Sequence, residues 1–124
     1  MKIQLKRIYD AAAQNDGYRV LIDGMWPRGI AKRDARIDAW YKTLAPSKAL
    51  RQWFGHDRER WQAFRKAYLA ELAEADTTAL DELCEIARQQ QLTLLFAAKD
   101  VERNHAVVLR EYLQMRDGRL EKKR

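Results

Sequence analysis

Two runs with a continuous apolar centre, YRVLI at 18 to 22 and LTLLFAA at 92 to 98, limit the fold more than any other feature, because nearly seventy largely helical residues separate them. A strand with a continuous apolar centre needs cover on both faces, and two such strands pair in parallel only when a long crossover joins them. The chain is therefore expected to be an α/β protein with these two strands as central, parallel neighbours. KIQLKRI at 2 to 8 alternates polar and apolar at Ile3 and Leu5, which predicts a half-exposed edge strand. The connection from 9 to 17 contains the turn signal Asn15-Asp16-Gly17 and is short for a helical crossover, so the direction of this first strand stays open. The expectation is a sheet of about three strands with four to five helices.

Helix starts are marked between the central strands. Ser47 precedes KALRQWF and Asp57 precedes a longer stretch, and both residue types accept the unpaired N–H groups of a first turn. Over 58 to 75, Trp61, Phe64, Tyr68 and Leu72 recur at helical spacing and should face the core. Thr78-Ala79-Leu80-Asp81 resembles a capping box and opens a helix with Leu80, Leu83, Cys84 and Ala87 on one side. That makes Cys84 a packing residue. Asp100 is the expected cap of a last helix over 101 to 115, with Val101, His105, Val108, Leu109 and Tyr112 as its stripe.

A chain of 124 residues suits one compact domain, assigned to 1–115, with 116–124 as a basic, frayed tail. No stretch reaches the roughly 18 consecutive apolar residues of a membrane span, and MKIQLKRIYD lacks the apolar centre of a signal peptide, so no membrane association and a cytoplasmic location are expected. The lone Cys84 cannot form an internal disulfide, which agrees with a reducing compartment. The net charge of +6 is uneven: residues 1–36 hold eight Lys or Arg against four acids, 37–113 eleven against twelve, and 114–124 five against two. Basic excess around RGIAKRDAR and in the tail either attracts phosphates, nucleic acid included, or only solvates the surface.

Ligands of open α/β sheets bind beyond the carboxyl ends of the parallel strands, where loops and helix N-termini gather. If the central strands are parallel, DGMWPRG at 23 to 29 and AAKDVERNH at 97 to 105 leave the sheet at the same edge. Asp23, Arg28, Lys99, Asp100, Asn104 and His105 then become neighbours. Arg28 offers a planar fork of donors to a carboxylate or phosphate, and Lys99 adds a mobile charge. His105 is the candidate general base, with Asp23 or Asp100 holding its ring in one tautomer. Trp26 belongs to one wall of the pocket, and WFGHD at 53 to 57 supplies a second through Trp53 and His56. Each residue also has a structural reading: Asp23 pairing with Arg28 across a turn, Asp57 and Asp100 as caps, Trp26 and Trp53 as core, and His105 as a buried, satisfied histidine.

The only serine is Ser47 and the only cysteine is Cys84, so a nucleophile system has almost no candidates, and no glycine-rich loop is present to cradle a nucleotide. No cofactor is expected, and two histidines without metal-ligand spacing predict no metal site. The simplest enzyme reading is general acid/base chemistry by His105 on a small anionic or polar ligand held by Arg28 and Lys99. Beside it stand a protein-interaction module with a purely structural charged network and a basic accessory protein for nucleic acid. Catalysis, ligand identity and oligomeric state stay open.

RVLIDGMWPRGIAK, LAPSKALRQWFGHD, ERWQAFRKAYLAEL and LLFAAKDVERNHAVVLREYL together resemble the YeaO-like proteins, a bacterial family of unknown function numbered 488, over residues 5 to 113. The resemblance implies a small cytoplasmic α/β protein without an established activity. Its motif positions fall on Asp23, Trp26, Pro27, Arg28 and Gly29, on Trp53, Phe54, Gly55 and His56, and on Lys99, Asp100, Asn104 and His105. Family segments often read D-R-x-W-P-R-G, whereas Gly24 here removes one basic group. An anion site using that arginine in relatives would be weaker or differently shaped in this chain.

Overall fold

In the computed structural model, which describes residues 1–122 and side chains through residue 118, the two apolar runs lie side by side. β2 (Tyr18–Leu21) and β4 (Gln91–Phe96) pair in parallel, with Val20 opposite Leu94 and Leu21 opposite Leu95. β1 (Lys2–Arg7) is also parallel and pairs with the other side of β4, which settles its direction and makes it an edge strand. Its return to β2 needs no α-helix and carries only a 3₁₀ turn over Gln14–Asp16. The stretch 8–17 is long enough, at up to about 3.3 Å per extended residue, to retrace a six-residue strand.

The sheet has four strands rather than the expected three or so, in the order β1-β4-β2-β3. β3 is only Ala39–Trp40, parallel to β2. Two residues carry no alternation from which a strand could be read. Tertiary hydrogen bonds hold it instead: the Asp38 N–H donates to Arg19 O at 2.7 Å and the Tyr41 N–H to Leu21 O at 2.9 Å.

Five helices accompany the sheet: α1 (Lys32–Ala35), α2 (Lys48–Phe54), α3 (Trp61–Ala73), α4 (Thr77–Gln89) and α5 (His105–Lys122). Ser47 caps α2, its Oγ accepting from Leu50 N–H at 3.2 Å. The expected start of α3 at 58 is corrected by one turn: Asp57 caps a 3₁₀ segment over 58 to 60, and the α-helix begins at Trp61. α4 likewise starts earlier than the apparent capping box, because the Asp76 carboxylate reaches Thr78 N–H at 3.0 Å and Ala79 N–H at 3.4 Å. On α3 and α4 the expected faces are buried at Phe64, Tyr68 and Leu72 and at Leu80, Leu83, Cys84 and Ala87, while Trp61 is half-buried. Burial pushes the Cys84 thiol up, as suits a packing residue.

The largest boundary correction is at α5, which begins at His105 and not near 101. Asp100 caps only a turn, accepting from Glu102 and Arg103 N–H at 2.9 and 3.0 Å. Asn104 is the cap of α5, its Oδ1 accepting from Ala106 N–H at 2.9 Å and Val107 N–H at 3.3 Å. Val101 accordingly leaves the expected stripe and is exposed. Of the stretch expected as a tail, Arg116 donates to Asp81 at 2.8 Å and Arg88 to Asp117 at 2.7 Å, which ties its first residues to α4. Residues 123 and 124 of that stretch lie outside the described residues.

The two faces of the sheet are covered differently. On one, Val20, Ile22, Leu92, Leu94 and Phe96 pack with α2 to α5 into the main core. On the other, Leu21 and Leu95 meet Ile8 and Ala35, with Trp26, Ile30, Ile37 and Trp40 laid against them. The strand-start half of this second face is polar. Asp16, fully buried, accepts there from Gln4 Nε2 at 3.2 Å, Lys6 Nζ at 3.1 Å, Ala13 N–H at 3.0 Å and Arg19 at 2.5 Å. Gly17 lets the chain enter β2 beside it: its φ is +65°, and a Cβ there would stand 2.2 Å from Gln91 O.

Candidate functional site

Because β2 and β4 are parallel, the segments after Leu21 and after Phe96 leave the sheet at one rim. The Ile22 N–H donates to Leu95 O at 3.1 Å, and one residue on, the Asp23 carboxylate accepts from Ala97 N–H at 3.1 Å through Oδ2. Arg7 at the end of β1 fixes the exit of β4 further, its guanidinium donating to Ala98 O at 2.9 Å and Ala97 O at 3.1 Å. A cleft of about 650 Å³ opens at this rim. Asp23, Lys99, Asp100, Asn104, His105 and His56 all line it.

The structure separates the other sequence candidates from this group. Arg28 is exposed and does not line the cleft; its carbonyl accepts from Tyr9 OH at 2.9 Å, in the segment that covers the second face of the sheet. Trp26 is half-buried there, 5.3 Å edge-to-face from Trp40, with its Nε1 donating to Ile30 O at 2.6 Å. Trp53 is exposed on α2 beneath Arg60, whose guanidinium lies 5.1 Å from its ring centre. The physical reason is local: Pro27 is buried, and the chain after Met25 turns toward Trp40 instead of the cleft. Asp23 and Arg28 therefore form no pair.

At the centre of the rim, His105 is the first residue of α5. Its Nε2 lies 2.9 Å from Asp23 Oδ1 and 3.2 Å from Ile22 O. In the Nε2–H tautomer the single proton is directed at the carbonyl, so Oδ1 remains buried with no hydrogen-bond partner. Tyr68 backs the imidazole edge-on at 6.3 Å, its own hydroxyl donating to Leu44 O at 2.5 Å. Burial first, then the carboxylates of Glu71 and Asp23, raise the Tyr68 phenol far above its ordinary range. It is a support and not an acid.

Asp100 and Asn104 stand at the cleft wall but are occupied by the backbone. The hydrogen bond from Glu102 N–H, joined by that from Arg103 N–H and the charges of Arg103 and Arg58, holds the Asp100 carboxyl below its ordinary value against the opposing effect of burial. A carboxylate saturated in this way makes a poor proton acceptor. His56 is exposed at the cleft edge, carried there by two successive left-handed residues, Gly55 at φ +50° and His56 at φ +58°.

One cleft residue escaped sequence reasoning. Arg51, on α2, lines the cleft, and its Nε is buried without a hydrogen-bond partner. Among the described residues no carboxylate lies within 4.0 Å of its guanidinium. The only trace of it in the sequence is an arginine four residues after the Ser47 cap, on the helix side shared with Gly55. Pro46, Phe54, Phe64 and Met25 complete an apolar wall, the two phenyl rings stacked 4.3 Å apart. Among the described residues no three His, Cys, Asp or Glu side chains gather to hold a metal, and no helix is long and apolar enough to cross a membrane.

Known proteins match this chain over nearly its whole length. It is 47% identical over 114 residues to "Uncharacterized protein YeaO" of Escherichia coli (strain K12), covering 92% of this chain and 98% of that protein. It is 40% identical over 115 residues to "Uncharacterized protein Rv3073c" of Mycobacterium tuberculosis (strain ATCC 25618 / H37Rv), and equally to "Uncharacterized protein Mb3100c" of Mycobacterium bovis, covering 93% of this chain and 96% of each. No solved structure matches. The family model DUF488-N3i, described as "Inactive DUF488-N3 subclade", matches residues 2–123, and the chain belongs to this YeaO-like DUF488 family.

Proposed function

We propose that the cleft at the strand ends binds a small anionic ligand, with Arg51 and Lys99 as its cationic side and the Asp23–His105 pair as its polar floor. The observation that carries this reading is Arg51: a guanidinium lining a cleft, with a buried Nε that no protein acceptor satisfies. The guanidinium also has no carboxylate partner among the described residues, so an oxyanion entering the cleft would supply the counterion it lacks. The word "Inactive" in the family description favours binding over turnover.

A catalytic reading has one observation of its own, the 2.9 Å approach of Asp23 Oδ1 to His105 Nε2. With Nε2–H held by Ile22 O, the ring's other nitrogen is the one to accept a proton, and the adjacent carboxylate stabilises the positive charge that forms. Binding is required under either reading.

The test is a thermal-melt titration with small carboxylates and phosphates. The parent melting point should rise saturably, by an amount equivalent to about 2.7 kcal/mol once ligand exceeds Kd a hundredfold. Arg51→Ala should remove that response. A parent protein that ignores every anion offered, or an Arg51→Ala protein that answers like the parent, would reject the reading.

A further inference from the structure

Gly24 lines the cleft between Asp23 and Met25, directly beneath Arg51. A Cβ at this position would stand 3.3 Å from Arg51 Cζ and 3.4 Å from its Nη1. A Cβ there would press on the guanidinium and on the Ala45 methyl, 3.4 Å away, so a residue of any other type at 24 would push the charge aside by a few tenths of an ångström while leaving it on the protein.

The rest of the lining is unlike that of a site for a bare ion. Phe54 and Phe64 stack into one slab, Pro46 adjoins them, and Met25 is 68% exposed although it lines the same cleft. Phe54, Phe64 and Pro46 are already buried by their neighbours, but Met25, with Ala97 and Ala98 half-buried beside it, would stay in water over an inorganic anion on Arg51. A volume of about 650 Å³ lies within the range of roughly 300–1,000 Å³ that holds organic ligands.

Resting on the anion-binding reading above, we infer that the ligand is an organic oxyanion with an apolar body, an aromatic or branched group bearing a carboxylate or phosphate, and that Gly24 is the positioning residue that sets Arg51 for its oxyanion. The oxyanion accepts from the guanidinium, and Lys99, which lines the same cleft, adds charge. The apolar body covers Phe54 and Pro46, and Met25 closes over it from the solvent side. Gly24 touches no ligand in this arrangement; it acts by leaving room.

The experiment is calorimetric titration of the folded full chain with four probes: acetate, inorganic phosphate, benzoate and phenyl phosphate. Benzoate should bind tighter than acetate, and phenyl phosphate tighter than inorganic phosphate, each by about tenfold or more. Whichever aromatic probe is preferred names the oxyanion and upholds the class. Gly24→Ala should weaken both aromatic probes by about fivefold or more while its denaturation midpoint stays near the parent's, and Arg51→Gln should weaken all four. Equal affinity within each pair overturns the apolar body yet leaves anion binding standing. Silence of all four probes overturns both. Parent-like affinity in Gly24→Ala overturns the positioning role alone.

Discussion

Asp16 and Asp23 stand just before and just after β2, and the chain surrounds them in opposite ways. Asp16 has no exposed surface, and its two oxygens accept from two cations, an amide side chain and a backbone N–H. Asp23 keeps part of its side chain open to the cleft and spends one oxygen on Ala97 N–H, while the other stays unsatisfied beside His105. A carboxylate whose every lone pair is matched can only hold the fold together. One left unmatched beside a histidine at the rim of a cavity is coupled to that ring instead, and this contrast is what separates a structural charge from a candidate functional one.

The contrast breaks most visibly at Asp16. Asp16→Ala should destabilise the fold by about 3–5 kcal/mol in denaturant titration, because the buried Arg19 and the half-buried Lys6 would lose their shared counterion. A loss smaller than that of the matching substitution at Asp23 would remove the distinction. The acid limb of stability sharpens it. Burial raises the Asp16 pKa, but the hydrogen bonds from Ala13, Lys6 and Arg19 outweigh burial, and the net shift is downward. A depressed folded value means that the contribution is complete above the unfolded value of about 3.9 and fades as pH falls through the folded one. Asp16→Asn should therefore flatten the fall in unfolding free energy below about pH 4, and an unchanged acid limb would contradict the network.

The smallest effect on stability belongs to Asp23. Asp23→Asn keeps an oxygen for Ala97 N–H, so it should cost about 1 kcal/mol or less and yet disturb anion titration of the cleft. A loss as large as that at Asp16 would make Asp23 a structural charge like its counterpart.

Much of the fold was legible because it rests on local pattern. The continuous apolar centres of 18–22 and 92–98 announce strands covered on both faces, and Ser47 announces a cap whose oxygen needs only its own first turn. Where two local signals compete, pattern misleads. Asp100 followed by an apolar residue looks like a helix start, but Asn104 is also a good cap, and the chain spends the three residues between them on a turn that brings Asn104 under α5. The two-residue β3 has no pattern at all, since it exists only where Asp38 and Tyr41 meet the backbone of β2.

The candidate site divides along the same line. Sequence order with the parallel rule was enough to bring Asp23 to His105 across more than eighty residues, because the direction of two strands follows from their apolar character and the crossover between them. It could not tell that Arg28 turns away toward Tyr9, or that Arg51 turns in over Gly24, since both depend on the path of side chains through space after the backbone has left its regular elements. Periodicity constrains an element against itself, whereas the facing of a charge toward a cleft is decided by what packs around it. Alone, the order of residues determined the sheet's core and the rim where charge collects; only the tertiary structure chose which arginine stands at that rim.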